Sequence, residues 1–188
     1  MKWHGPSAPL PILILRSLDD ATRDLVRADL YRYMQFDEGD TRSFEACLSK
    51  VLRLKPRFRN VFLHRCAHAD LTPTQQLLVI LLKRSFPPVA SVELLCDDVG
   101  AGLLILHNFC TVAARSIGRD VVIGPGVVIG KRGNDLPVIE DGAKICANAT
   151  VIGKVTVGKN AIVGAGAVVI HDVPAGAHVV GNPAHATK

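Results

Sequence analysis

What this chain lacks narrows it before what it has. It has no dense lysine and arginine tract: the formal net charge is only +5 over 188 residues. So mild a balance suits an anionic small molecule and offers no footprint for nucleic acid. It has no apolar run of bilayer length, which takes about 20 residues. Leu10 to Leu15 and Leu77 to Leu82 are too short and read as buried helix faces. The five cysteines, at 47, 66, 96, 110 and 146, show no paired spacing. The start, Met1-Lys2-Trp3-His4-Gly5-Pro6, is not a charged leader before an apolar segment. An odd cysteine count without a leader predicts reduced thiols and a cytoplasmic protein. At 48% hydrophobic, the chain suits one domain with a core, or one domain plus an extension.

What is present is a beat of six. Val99, Ile105, Thr111, Ile117, Ile123 and Ile129 are spaced by six, and so are Ile139, Ile145, Val151, Val157, Val163 and Val169. That period is neither helical nor a plain strand alternation. It predicts a parallel β-helix of hexapeptide repeats, in which the beat residue points inward and stacked neighbours build the core. Between Ile129 and Ile139 the spacing is ten, so four residues are extra. They fall in Lys131 to Pro137, a polar, Gly-containing segment read as a loop thrown out at one corner. Insertions in solenoids collect on the binding face.

Ahead of the beat the chain reads as helical. Residues 1 to 16 carry three prolines and read as an extended arm with an apolar patch at Ile12-Leu13-Ile14-Leu15. Capping signals predict a helix from Ser17-Leu18-Asp19-Asp20 to about Gln35, and a second from Thr41-Arg42-Ser43 to before Pro56, with a turn between them. A third covers Arg57 to Ala69, and Thr72-Pro73 opens a fourth. Leu25, Leu30, Phe44, Leu48, Leu52 and Phe62 are its predicted core. The fold class is therefore α+β, divided into residues 1–90 (arm and helices), 91–180 (β-helix with loop 131–137) and 181–188 (tail).

These residues resemble a known family. Asp29-Leu30-Tyr31-Arg32-Tyr33, Pro56-Arg57-Phe58-Arg59 and the coil from Val99 to His107 resemble the serine acetyltransferases, as do Ala165-Gly166-Ala167-Val168-Val169, Asp172-Val173-Pro174 and Val180-Gly181-Asn182-Pro183-Ala184. Look-alikes act in surface-polysaccharide clusters. The resemblance implies a left-handed β-helix with three hexads per triangular coil, a homotrimer, acetyl-CoA as donor without a metal, and active sites between subunits.

His107 is the candidate general base, since an imidazole can take a hydroxyl proton and return it to a departing thiolate. A solvated structural histidine is the alternative. Glu93 is the candidate orienting carboxylate, one residue short of the family's spacing, with an ordinary surface glutamate as its alternative. The resemblance places the CoA arm along small residues at Gly130, Ala147 and Ala165, with Lys131, Arg132 and Lys188 available to phosphates. At the acceptor pocket the chain departs from the family. Leu106, Asp135 and Leu136 stand where free-serine enzymes grip the two charged ends of serine. A neutral hydroxyl, such as a polysaccharide sugar, is therefore the expected acceptor, with serine as the alternative. A non-catalytic assembly subunit is the rival from another class. Leu103, Val121 and Val127 are expected to need cover from a second subunit. His64 and His68, at i and i+4, are a weak metal pair.

Overall fold

The computed structural model describes residues 9–35 and 44–187. The chain divides into two compact units, Met1–Pro88 and Val89–Lys188.

The first unit is helical. α1 (Pro9–Ser17) replaces the extended arm expected there. Its prolines at 9 and 11 lie in the first turn, where the backbone N–H groups have no intrahelical partner, so they do not break the helix. Its gain is burial of Ile14 and Leu15. α2 (Asp20–Gln35) starts behind Asp19, whose carboxylate accepts from the Thr22 N–H at 2.8 Å and the Thr22 hydroxyl at 2.6 Å. α3 (Phe44–Leu54) stops before Pro56, and Arg59 donates to the carbonyls of Leu52 and, at 2.8 Å, Arg53. The expected turn at Phe36 to Asp40 and the caps at Thr41 to Ser43 lie outside the described residues.

α4 (Pro56–Ala67) carries Phe58 and Phe62, both fully buried, and Phe58 meets Tyr33 edge-on at 5.2 Å. α5 (Pro73–Ser85) opens on a Thr72 capping box. Leu30, Leu48, Leu52 and Phe62 reach the core, whereas Leu25 and Phe44 are only half-buried. No helix among the described residues is long and apolar enough to cross a membrane.

The second unit is the expected parallel β-helix, with three faces. Face one holds Val92–Leu94, Cys110–Val112, Val128–Gly130, Thr150–Ile152 and Val168–Val169. Face two holds Asp98–Val99, Ser116–Ile117, Val138–Ile139 and Thr156–Val157. Face three holds Leu104–Ile105, Val122–Ile123, Lys144–Ile145, Ile162–Val163 and His178–Val180, closed by an antiparallel His185–Ala186.

Eleven of the twelve beat residues are buried, each at 7% exposure or less. They stack in ladders such as Ile105–Ile123–Ile145–Val163. Each buried aliphatic side chain contributes roughly 1.5–3 kcal/mol relative to exposure.

Thr111 is the exception. It is half-buried, and Val112 takes the inward place at 0% exposure, paired with Ile129. The step from Ile105 to Val112 is thus seven residues, and the next, to Ile117, is five. The extra residue sits at the corner His107-Asn108-Phe109, where Phe109 has φ +64°.

A second correction concerns Leu103, Val121 and Val127. All three are fully buried within one chain and need no cover from a second subunit. They fill the corners beside the beat ladders.

Candidate functional site

The three faces meet at three edges, and the edge from face three to face one carries the candidate base, His107. His107, Pro125, Ala147 and Ala165 each lie two residues beyond a member of the ladder Ile105–Ile123–Ile145–Val163. They therefore occupy one edge on four successive coils. At about 4.8 Å per coil, Ala147 stands roughly 10 Å and Ala165 roughly 14 Å along the axis from His107. Neighbouring corners are tied by backbone bonds, Asn148 N–H to Pro125 O at 2.7 Å and Gly166 N–H to Ala147 O at 2.9 Å.

His107 is exposed, and among the described residues its ring has no hydrogen-bond partner. The turn beneath it is held by a thiol. Cys110 is 1% exposed, and its Sγ lies 3.1 Å from the Gly124 carbonyl, 3.5 Å from that of His107 and 3.7 Å from that of Asn108. The Asn108 Oδ1 is buried without a partner. The imidazole thus projects from an anchored turn, open to a substrate.

Glu93 is exposed on face one, where its carboxylate accepts from the Thr111 hydroxyl at 3.4 Å. It makes no hydrogen bond to the imidazole.

The acceptor candidates lie on different edges. Leu106 is half-buried beside His107, its N–H donating to Ile123 O at 2.9 Å. Asp135 and Leu136 belong to the inserted loop on the edge from face one to face two. There Arg132 and Asp135 exchange backbone bonds at 3.0 and 3.2 Å around Gly133-Asn134. Gly133 takes φ +64°, as the first position of a tight hairpin turn requires. Asp135 is exposed and Leu136 half-buried. Within one chain these residues do not converge with Leu106.

Of the donor candidates, Ala147 is half-buried and Ala165 exposed, both on the histidine edge. Gly130 ends a face-one strand, and a Cβ there would meet nothing within 4 Å. Lys131 and Arg132 are exposed on the loop. Lys188 lies outside the described residues. The small side chains at 147 and 165 leave the backbone of the histidine edge open to an extended chain, whereas the open space at Gly130 lies at the loop edge.

His64 and His68 stack at 4.1 Å in the helical unit. Among the described residues no group of three or more His, Cys, Asp or Glu is placed to share a metal ion. Cys146 is half-buried.

The sequence reading passed over Phe109, Asn108 and Cys110. The signal for Phe109 was present, since the matching corners hold Gly126, Asn148 and Gly166, but the seven-residue step hid the correspondence.

The comparisons with known proteins agree with this architecture. The family described as bacterial transferase hexapeptide (six repeats) matches residues 137–171. Serine acetyltransferase 2 of Arabidopsis thaliana is 30% identical over 176 residues, 88% of this chain and 52% of that protein. The serine acetyltransferase of Bacillus licheniformis is 41% identical over 130 residues, 65% of this chain and 60% of that protein. The structure of soybean serine acetyltransferase complexed with serine matches with a TM-score of 0.72 at 27% identity, covering 98% of this chain and 85% of that one. The chain therefore spans between half and two thirds of the length of these two curated relatives.

Proposed function

We propose that this chain, whose residues 137–171 match the bacterial transferase hexapeptide family, is an acetyl-CoA-dependent O-acetyltransferase of the serine acetyltransferase type. The observation that carries the reading is the exposed, unpartnered His107 at the head of an edge continued by Ala147 and Ala165. The CoA arm runs along that edge and brings the thioester to the imidazole. His107 takes the proton of the acceptor hydroxyl as its oxygen attacks the thioester carbonyl carbon. A C–O bond forms, the C–S bond breaks, and the imidazolium returns the proton to the CoA thiolate. Transfer is direct, because no residue beside His107 serves as an acyl carrier.

Free serine is the acceptor that the comparisons favour. A second reading rests on Leu106, Asp135 and Leu136. Two of these offer an amino acid's charged ends no hydrogen bond, and Asp135 repels a carboxylate. On that reading the acceptor is a neutral hydroxyl, such as a sugar of a surface polysaccharide or its precursor.

The site is completed between copies of the chain. Leu106 and the loop residues stand on different edges, so a trimer that packs one chain's loop against the next chain's histidine edge unites them. Five free thiols support a reducing compartment, the cytoplasm.

The test is thiol release from acetyl-CoA, with serine, homoserine and sugars as acceptors. His107→Ala should lower turnover by about 10²–10⁴-fold and leave acetyl-CoA binding intact. Near-normal turnover in that variant removes His107 from the role. No release with any acceptor favours a non-catalytic assembly subunit.

A further inference from the structure

Positive φ recurs along the histidine edge, and the residues that adopt it are chosen for it with one exception. Gly126, Asn148 and Gly166 take φ +67°, +57° and +68° there. Elsewhere among the described residues, every positive-φ position holds Gly, Asp or Asn. Glycine has no Cβ to clash, and Asn and Asp tolerate the left-handed region. In the His107 coil the same corner holds Phe109 at φ +64°. A bulky residue there is an outlier that persists only where its surroundings over-determine it. They do so here: Cys110, the next residue, donates its thiol to the Gly124 carbonyl, and Val112, three residues on, is buried in the core. The strain gains no core packing, since Phe109 is 78% exposed, more than any other large hydrophobic residue recorded as exposed. The ring stands two residues from the imidazole, in a turn whose Asn108 Oδ1 has no partner.

We propose that Phe109 is an acceptor-recognition residue: its ring is a platform beside His107 for an acceptor with an apolar carbon face, a pyranose ring before a free amino acid. The proposal rests on the reading of His107 as the base. An aromatic face attracts C–H surface through dispersion and its quadrupole, and a pyranose offers a whole face of C–H groups. Serine offers a single methylene beside its charged ends. The platform therefore bears on the choice between the two acceptor readings, and it assigns discrimination to a side chain on the same turn as the base.

The test compares wild type, Phe109→Gly and Phe109→Tyr. Saturation-transfer NMR with serine, methyl α-glucopyranoside and N-acetylglucosamine reads binding without turnover. Thiol release reads KM for acceptor and for acetyl-CoA separately. Thermal unfolding and light scattering read the scaffold. Phe109→Gly should abolish the saturation transfer of at least one pyranoside and raise its KM about 3–10-fold. The acetyl-CoA KM should stay within about twofold, and Tyr should restore binding. Relief of the backbone strain should raise the melting temperature by about 2–6 °C. The proposal is overturned if wild type contacts no pyranoside, if Phe109→Gly binds as wild type does, if both KM values rise together, or if assembly is lost. Pyranoside contact that depends on Phe109 without thiol release keeps the platform and removes the transferase reading. Thiol release with unchanged acceptor KM does the reverse.

Discussion

Among the described residues of the helical unit, Asp29 and Arg65 form a buried ion pair, and its removal tests why the Asp-Leu-Tyr-Arg-Tyr box is there. Asp29 and Arg65 have side chains 1% and 4% exposed. The guanidinium grips the carboxylate through Nε to Oδ2 at 2.9 Å and Nη2 to Oδ1 at 3.2 Å. The two residues come from α2 and α4 and lock those helices in register. Deleting one partner takes both of these charge-assisted hydrogen bonds from a buried charge, and breaking a buried pair in this way costs about 3–5 kcal/mol. That is a large share of the 5–15 kcal/mol typical of a whole domain. Asp29→Asn and Arg65→Met should each lower the urea midpoint of the helical transition accordingly, followed by circular dichroism at 222 nm. The double variant Asp29→Leu/Arg65→Met should recover most of the loss, because no charge is left unpaired. Below the shifted midpoint, turnover per folded molecule should be unchanged, since the pair is remote in sequence from His107. Losses under about 1 kcal/mol in both single variants, or strictly additive losses in the double, would refute the argument.

Three further outcomes are expected. Val112→Ala should destabilise the β-helix by about 1.5–3 kcal/mol, whereas Thr111→Val should stay within about 0.5 kcal/mol; equilibrium unfolding that gives the reverse order restores Thr111 to the core. Asp141 holds a carboxyl pKa below its ordinary 3.8, first through the Arg119 N–H and then through Lys159. A depressed acid contributes stability above its unfolded pKa and loses it as pH falls through the folded value. The gap between wild type and Asp141→Asn should therefore close below about pH 4, and a gap unchanged at pH 2.5 contradicts this. Burial pushes the Cys66 thiol up to about 12, so at pH 8 iodoacetamide should label half-buried Cys146 and leave Cys66 unmodified, as peptide mass mapping will read.

The six-residue beat made the β-helix legible before any coordinates, because an inward Val or Ile in each strand is a local requirement that each hexad states for itself. The caps at Asp19 and Thr72 were legible for the same reason, as each is satisfied within one turn of chain. The prolines at 9 and 11 misled, because α1 is held by the burial of Ile14 and Leu15, and burial is a property of neighbours that the segment does not contain. Thr111 and Val112 exchanged roles because one extra residue at a corner shifts the strand after it until the five-residue step to Ile117 restores the beat, and two adjacent β-branched residues fit the inward place equally well on pattern alone. The same shift concealed that Phe109 stands where neighbouring coils place Gly or Asn. Residue types and spacing thus determined by themselves that the chain coils and which residues fill most of its core, whereas His107 was singled out through the family resemblance. Only the tertiary structure decided which edge each candidate occupies, aligning Ala147 and Ala165 below His107 and setting Asp135 and Leu136 on another edge. The physical reason is that inward or outward facing is set by local alternation, whereas position around the prism is set by the running count of residues through every corner before it.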